Sequence, residues 1–490
     1  MMKNPIGSAD ALRDTCRVGL RYACGLAVAA AVAHLFAPAF AQTDVDWTKA
    51  NAATLEHFSA LVRIDTSAKE RPAAEYLEKV LDEHGIPATL YAADPDRPNV
   101  VARLKGNGKK RPLLLMGHTD TVTIDPSKWK PFGPFSAARD GGYIYGRGTI
   151  DDKDNLAASL MMMLLLKQYN VPLDRDVIFL AEAGEEGNSR IGIQHVIAEH
   201  YGDIDAEYCL AEAGDGIRQN GQVKYVEVET TEKVPGGVEL VAHGISGHGS
   251  IPLKSNAIVH LATAVGRIGE WRPDIKLNET TATYFRKLSQ IAASPEQARV
   301  YADVLSPDPK VQRAADDWLF EHEPRNSSKL RTSVSPNIFQ GGYRSNVIPS
   351  EAKATLDVRM VPDEDRAAFL ERLKRIVNDP AVDVHYTNNG PGRPPAPPAR
   401  LDSELYKTVE AAVAKVYNVP AVPNMQTGAT DKAPLRARGQ ECLGIGSAID
   451  VEDQIKGFGM HSDQERIRED ELYRFVRFNW EIVNALARAR

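Results

Sequence analysis

The chain is poor in cysteine, with 4 in 490 residues. A disulfide-built scaffold is thereby excluded, because that class packs many cysteines into a short chain. Positive charge is short as well: Lys plus Arg number 59 against 66 Asp plus Glu, a net of −7. With no basic patch to track phosphates, a general nucleic-acid binder is excluded. Long apolar runs are missing. The apolar run 23–36 falls short of the ~20 residues that cross a bilayer, and with the ordinary composition a multi-span membrane protein is excluded. Internal repeats and low-complexity tracts are absent. What remains is an ordinary globular composition, 43% hydrophobic and 26% charged, in a chain long enough for two or more domains.

The first 41 residues differ from the rest. Arg13, Arg17 and Arg21 precede the apolar stretch, and Ala39-Phe40-Ala41 stands before Gln42. Basic region, short apolar core and small-residue end make a secretory signal peptide over 1–41, cleaved after Ala41, and a secreted or periplasmic product. An uncleaved anchor is the plainer alternative. Arg21, just before Cys24, argues against lipid attachment. Cleavage leaves 449 of the 490 residues and takes Cys16 and Cys24 away. Cys209 and Cys442 remain. They could bridge, but the apolar run around Cys209 favours a buried free thiol.

From 47 to about 234 the pattern alternates between helix and strand. Helices are expected at 55–62, 73–84 and 155–169, and strands at 99–104, 113–116, 177–181 and 208–211. The short, fully apolar strand runs predict an α/β domain with a mainly parallel sheet covered on both faces. Met161, Met162 and Met163 read as core filler. Near Pro235-Gly236-Gly237 the pattern changes. Val238, Leu240 and Ala242 alternate with polar partners, as in a half-buried strand. A helix at 256–268, a long charged helical stretch at 271–329, and strands at 333–339 and 352–360 then suit a smaller α+β domain. The Pro- and Gly-rich segment 388–398 reads as a return linker. The economical division is one α/β domain, 42–235 with 396–490, interrupted by an inserted domain at 236–395.

Acidic and histidine motifs follow the expected strands, where open α/β sheets build their sites. Gly117-His118-Thr119-Asp120 offers an imidazole, and Asp120 can hold its second ring nitrogen. In Gly146-Arg147-Gly148-Thr149-Ile150-Asp151-Asp152, Asp151 is either a helix N-cap or a carboxylate able to bridge two cations. Glu185 and Glu186 are adjacent carboxylates that repel unless a cation or proton separates them. One could bind metal while the other serves as general base; the plain alternative is a solvated acidic loop. Glu212 follows the strand at 208–211, and His461 stands late in Gly459-Met460-His461-Ser462-Asp463. Together these are the nitrogen and oxygen donors that suit zinc.

The motifs, in this order, resemble the dinuclear zinc exopeptidases of the M20 type, the family of glutamate carboxypeptidase, carboxypeptidase S, aminoacylase-1 and succinyl-diaminopimelate desuccinylase. The likeness runs from about Leu55 to the closing helix. It implies two Zn2+ ions per subunit, bridged by Asp151. His118 and Glu212 complete one ion, and Glu186 and His461 the other. Glu185 is then the general base, and Asp120 orients His118. The resemblance also implies a cis peptide between Asp151 and Asp152. Ala211 stands where the family often has Asp, which leaves Asp215 as a competitor of Glu212.

The inserted domain becomes a lid and dimerisation domain in this light. His243-Gly244-Ile245-Ser246-Gly247-His248 resembles the motif whose histidine, here His248, steadies an oxyanion in the partner's site. Asn346 and Arg359 match substrate-contacting positions, Arg393 matches an arginine that grips a free carboxylate, and Gly428 matches a loop near the metals. Arg359 could equally be a strand-face ion pair, and Arg393 a solvated linker residue. The long stretch 271–329 resembles the carboxypeptidase S branch. The implied activity is hydrolysis of a peptide or amide bond beside a free carboxylate, as a carboxypeptidase or dipeptidase. The alternative is an N-acyl-amino-acid amidohydrolase, and a lesser one an inactive binding homologue. A small peptide or N-acyl amino acid is the expected partner, with a homodimer, no nucleic acid and no stable membrane span after processing.

Overall fold

Fully apolar strand runs make the centre of the larger sheet. Leu113–His118, Val177–Glu182 and Tyr208–Ala211 are buried from end to end in the computed structural model, as strands covered on both faces must be. The structure describes residues 44–388 and 396–489; the expected signal peptide 1–41 and Arg393 lie outside the described residues. Leu113–His118 runs parallel to both Val177–Glu182 and Tyr208–Ala211, and Glu441–Gly444 extends the parallel set beyond Tyr208–Ala211. Asn99–Leu104 and Ala88–Tyr91 add antiparallel strands on the other side. Gln222–Glu232, an eleven-residue strand, takes Ala421–Gln426 in parallel. The sheet totals ten strands, mixed but mainly parallel, in the expected α/β class.

Helix Lys153–Gln168 is buried nearly all round, its three methionines included. It packs between the sheet and the helices Trp47–Arg63 and Glu469–Ala487. Its start is bounded by Asp152, so Asp151 is not its cap. Cys209 and Cys442 are register partners on adjacent parallel strands, free and fully buried. Among the described residues no helix is long and apolar enough to cross a membrane.

A separate four-stranded antiparallel sheet runs in the order Ser333–Gly341, Glu351–Met360, Val234–His243, Val382–Tyr386. The alternation at 238–242 is real: Val238, Leu240 and Ala242 are fully buried. They face Leu261 and Ile268 of helix Ala257–Glu270 and Phe369 and Leu373 of helix Arg366–Val377. Each such large side chain contributes ~1.5–3 kcal/mol by leaving water.

The charged segment between these strands goes elsewhere. Helices Glu279–Ile291, Pro295–Asp303, Pro309–His322 and Pro324–Ser328 gather around Tyr284, Phe285, Leu288, Tyr301 and Leu319, and their cluster includes Val422 of the large sheet. This part of 236–395 therefore covers the large sheet, because its apolar stripes match the face beside Ala421–Gln426.

Lys233 is the single residue between strand Gln222–Glu232 of the large sheet and strand Val234–His243 of the smaller one. Its side chain is fully buried, and Nζ donates to Ser328 Oγ at 3.0 Å and Ser333 Oγ at 3.1 Å. Burial pushes the ammonium from 10.5 down to about 7, Arg331 and Arg359 push the same way, and Asp357 opposes. Between those values the unfolded chain binds a proton that the folded chain does not, so stability from this group rises with pH. Lys233→Met is expected to flatten that rise. Urea midpoints of both proteins at pH 7 and pH 9 test it, and a gap between them that does not change with pH refutes it.

Candidate metal centre

The cluster is assembled at the carboxyl ends of the parallel strands. Leu113–His118 ends on His118, two residues beyond the expected limit. Val177–Glu182 leads through Gly184 to Glu185 and Glu186. Gly184 has φ +76°, and a Cβ there would come within 2.7 Å of Asn188 O, so this turn requires glycine. Tyr208–Ala211 hands on to Glu212. Asp151 ends the loop before helix Lys153–Gln168, and His461 lies on the loop after helix Val451–Lys456.

Asp151 stands between two imidazoles. Its Oδ1 is 3.0 Å from His118 Nε2 and its Oδ2 is 3.0 Å from His461 Nε2. His461 Nε2 is also 2.9 Å from Glu186 Oε1. Two sets of donor atoms result, His118–Asp151–Glu212 and Asp151–Glu186–His461, each within 4.8 Å, with Asp151 shared. The Asp151–Asp152 peptide is cis.

The surroundings hold these donors in place. Asp120 accepts hydrogen bonds from the backbone N–H of Glu185 at 3.1 Å and of Glu186 at 3.2 Å. Its Oδ1 is 3.4 Å from His118 Nδ1 and its carbonyl oxygen 3.0 Å from the same nitrogen. Asp152 accepts from the His118 N–H at 3.1 Å, and Lys432 Nζ donates to the Glu212 carbonyl at 2.7 Å.

Electrostatics ask for more positive charge. Burial works against ionised Asp151, but hydrogen bonds from His118 and His461 hold its carboxyl well below the usual range. Hydrogen bonding to Asp151, then to Glu186, pushes His461 up to about 10. Burial pushes Glu212 up to about 7 and Glu185 well above its ordinary value. Carboxylates this crowded need protons or cations between them, and a set of imidazole and carboxylate donors sharing one central carboxylate fits two divalent ions.

The structure thus brings together His118, Asp120, Asp151, Glu185, Glu186, Glu212 and His461. Gly428 lines the same cleft. Asp215 lines it too but belongs to neither donor set. His248, Asn346 and Arg359 are not among the lining residues. His248 sits on the two-residue strand Gly247–His248, paired with Val347–Ile348, and the next N–H, of Gly249, donates to Asn346 O at 2.8 Å. Both side chains are exposed. Arg359 pairs with Asp357 at 2.9 Å on its strand, the plainer of its two expected roles.

Glu465 was not foreseen. Fully buried, it accepts from the N–H groups of Gly148, Ile150 and Asp151 at 3.1, 2.8 and 3.3 Å and pairs with Arg147 at 2.7 Å. Arg147 in turn donates to Ser462 O at 2.9 Å, tying the Asp151 loop to the His461 loop. Its only signal in the sequence is an acid four residues after His461.

The model of peptidase family M20/M25/M40 matches residues 114–485. The human N-fatty-acyl-amino acid synthase/hydrolase PM20D1 is 28% identical over 363 residues, 72% of this chain and 67% of that protein. A probable carboxypeptidase S-like protein of Dictyostelium discoideum is 28% identical over 66% of this chain and 62% of its own length. These alignments thus span about two thirds of each curated relative. Among solved structures, the M20 metallo-carboxypeptidase Sso-CP2 of Sulfolobus solfataricus superposes with a TM-score of 0.65 at 21% identity, over 88% of this chain and 99% of that one.

Proposed function

This chain belongs to the M20/M25/M40 peptidase family, and from that we propose that it hydrolyses a peptide or amide bond next to a free carboxylate, as a carboxypeptidase or dipeptidase. Membership makes it a metal-dependent hydrolase of the exopeptidase or amidohydrolase kind. The observation that carries the reading is the sharing of Asp151 between two donor sets, with Glu185 alongside.

Zinc is the metal proposed for those imidazole and carboxylate donors, held by His118, Asp151 and Glu212 on one side and Asp151, Glu186 and His461 on the other. When bound, the ions supply Lewis-acid polarisation of the scissile carbonyl and make water more acidic. Glu185 accepts the proton of the attacking water and later passes it to the leaving amine. Its burial suits it to hold a proton between those steps. Asp120 fixes both His118 and the N–H groups of Glu185 and Glu186, so that base and ligand move as one. His248, Asn346, Arg359 and Arg393 are proposed to meet the substrate from a lid, His248 at the oxyanion and the arginines at the carboxylate. The four-stranded sheet with its two helices is proposed as that lid and as the homodimer contact; Ser333–Gly341 is its edge strand and exposes Ile338 and Phe339. Removal of 1–41 and export are part of the same reading.

A second reading is an N-acyl-amino-acid amidohydrolase, favoured by the activity for which the human relative is named. Dipeptides, N-acyl glutamates and N-acyl amino acids offered to the zinc-loaded protein, with and without a chelator, separate the two. Chelator-sensitive turnover is expected; no turnover of any of them defeats both readings.

A further inference from the structure

Asp215 is left over from both donor sets. It is 8% exposed, lines the cleft beside Glu212, and makes no side-chain hydrogen bond or ion pair among the described residues. Gly446 lies against it: a Cβ at 446 would stand 3.1 Å from Asp215 Oδ1. The next residue, Ser447, donates to Asp154 Oδ2 at 2.5 Å. Asp154 also lines the cleft, is 2% exposed, and its Oδ1 is buried with no partner. One short stretch, 445–447, therefore backs two carboxyl groups with unused lone pairs. Burial pushes Asp215 up to about 6 and Asp154 to about 8, Asp215 adding to the latter.

Among the described residues no cation forms an ion pair with this wall. Arg325, on helix Pro324–Ser328, acts on Asp215 from a distance, and the Lys329 ammonium is engaged 3.6 Å from Glu227 and 3.9 Å from the Tyr284 ring. A buried carboxyl without a partner is costly, and the cost is relieved by a ligand that brings charge and donors. Because neither acid joins the donor sets around Asp151, a third metal ion is not what the geometry offers.

We propose that Asp215, with Asp154 beside it, accepts a cationic group of the substrate, an ammonium or a guanidinium. This rests on the hydrolase reading and deepens it: the substrate carries a positive charge as well as a free carboxylate. The cation belongs either to a free α-amine or to a basic side chain.

Pairs of substrates alike in shape but not in charge distinguish those sources. One pair sets a free-amine dipeptide against its hydroxy analogue. The other sets a lysine-containing amide against its norleucine counterpart. In the metal-loaded protein one pair is expected to favour the cation about 10–100-fold in kcat/KM, as a charged hydrogen bond does. Asp215→Asn is expected to erase most of that ratio, and Asp154→Asn part of it. No preference in either pair, or a preference that survives both substitutions, overturns the proposal. If Asp215→Asn does not fold, the wild-type ratios and Asp154→Asn still decide. If no amide is cleaved at all, the hydrolase reading fails on its own. The subsite is then read by calorimetric binding of two pairs, L-norleucine against 2-hydroxyhexanoate for the α-amine and L-lysine against L-norleucine for the side chain, where equal affinity within both pairs overturns it.

Discussion

Replacing Glu185 by Ala is expected to lower kcat by about 10²–10⁴, the usual worth of a positioned general base, with two metal ions still bound. The reasoning is positional. Glu185 is adjacent to Glu186 in sequence, yet only Glu186 falls within the donor sets around Asp151. Glu185 lines the cleft with its carboxyl pushed up first by burial and then by Glu212. A buried carboxyl of raised pKa can carry a proton between attack and departure, which a solvated one does poorly. Metal analysis alongside turnover checks the assignment. Substantial activity in the variant sinks it; loss of metal together with activity would instead make Glu185 a ligand.

Glu465→Gln is expected to be damaging in a different way. Three N–H groups and a guanidinium point at the Glu465 oxygens, an arrangement that only the carboxylate satisfies fully. Burial works against that charge, and Arg147 opposes burial. Neutralising Glu465 leaves the Arg147 guanidinium, 2% exposed, without its counter-ion. Breaking a buried pair from one side costs about 3–5 kcal/mol. The same change loosens the Asp151 loop, and the loss of such outer support weakens metal affinity about 10–100-fold. Urea unfolding of the metal-free protein reads the first effect, and metal competition against a chelator the second. A variant matching wild type in both means that Glu465 supports nothing.

The main features of the site were legible because parallel strands place their chemistry at one end. His118, Glu186 and Glu212 each follow an apolar run, and a run of that kind marks where the chain surfaces. Glu465 was not legible, because a lone acid in a loop carries no period and its donors come from 147–151. Strand Gln222–Glu232 hid for a related reason. Its buried end holds Glu227, Glu229 and Glu232, which read as surface until Arg436 is seen pairing with Glu229 at 3.0 Å and Glu232 at 2.9 Å. The stretch 271–329 was legible as helical and charged, but its apolar stripes were not. A stripe says that something covers it, not what, and the partner lies over 90 residues away in sequence at Val422. The lid residues rested on resemblance, and the geometry sets His248 and Asn346 side by side without bringing them to the cleft.

Cys209 and Cys442 give the molecule a chemical reporter. They sit opposite each other near the middle of the large sheet, with no solvent contact. A thiol reagent can reach them only when central strands separate, since fraying of termini or loops leaves that region closed. Their modification rate, followed with and without added metal, therefore measures how strongly occupation of the strand ends clamps the sheet behind them.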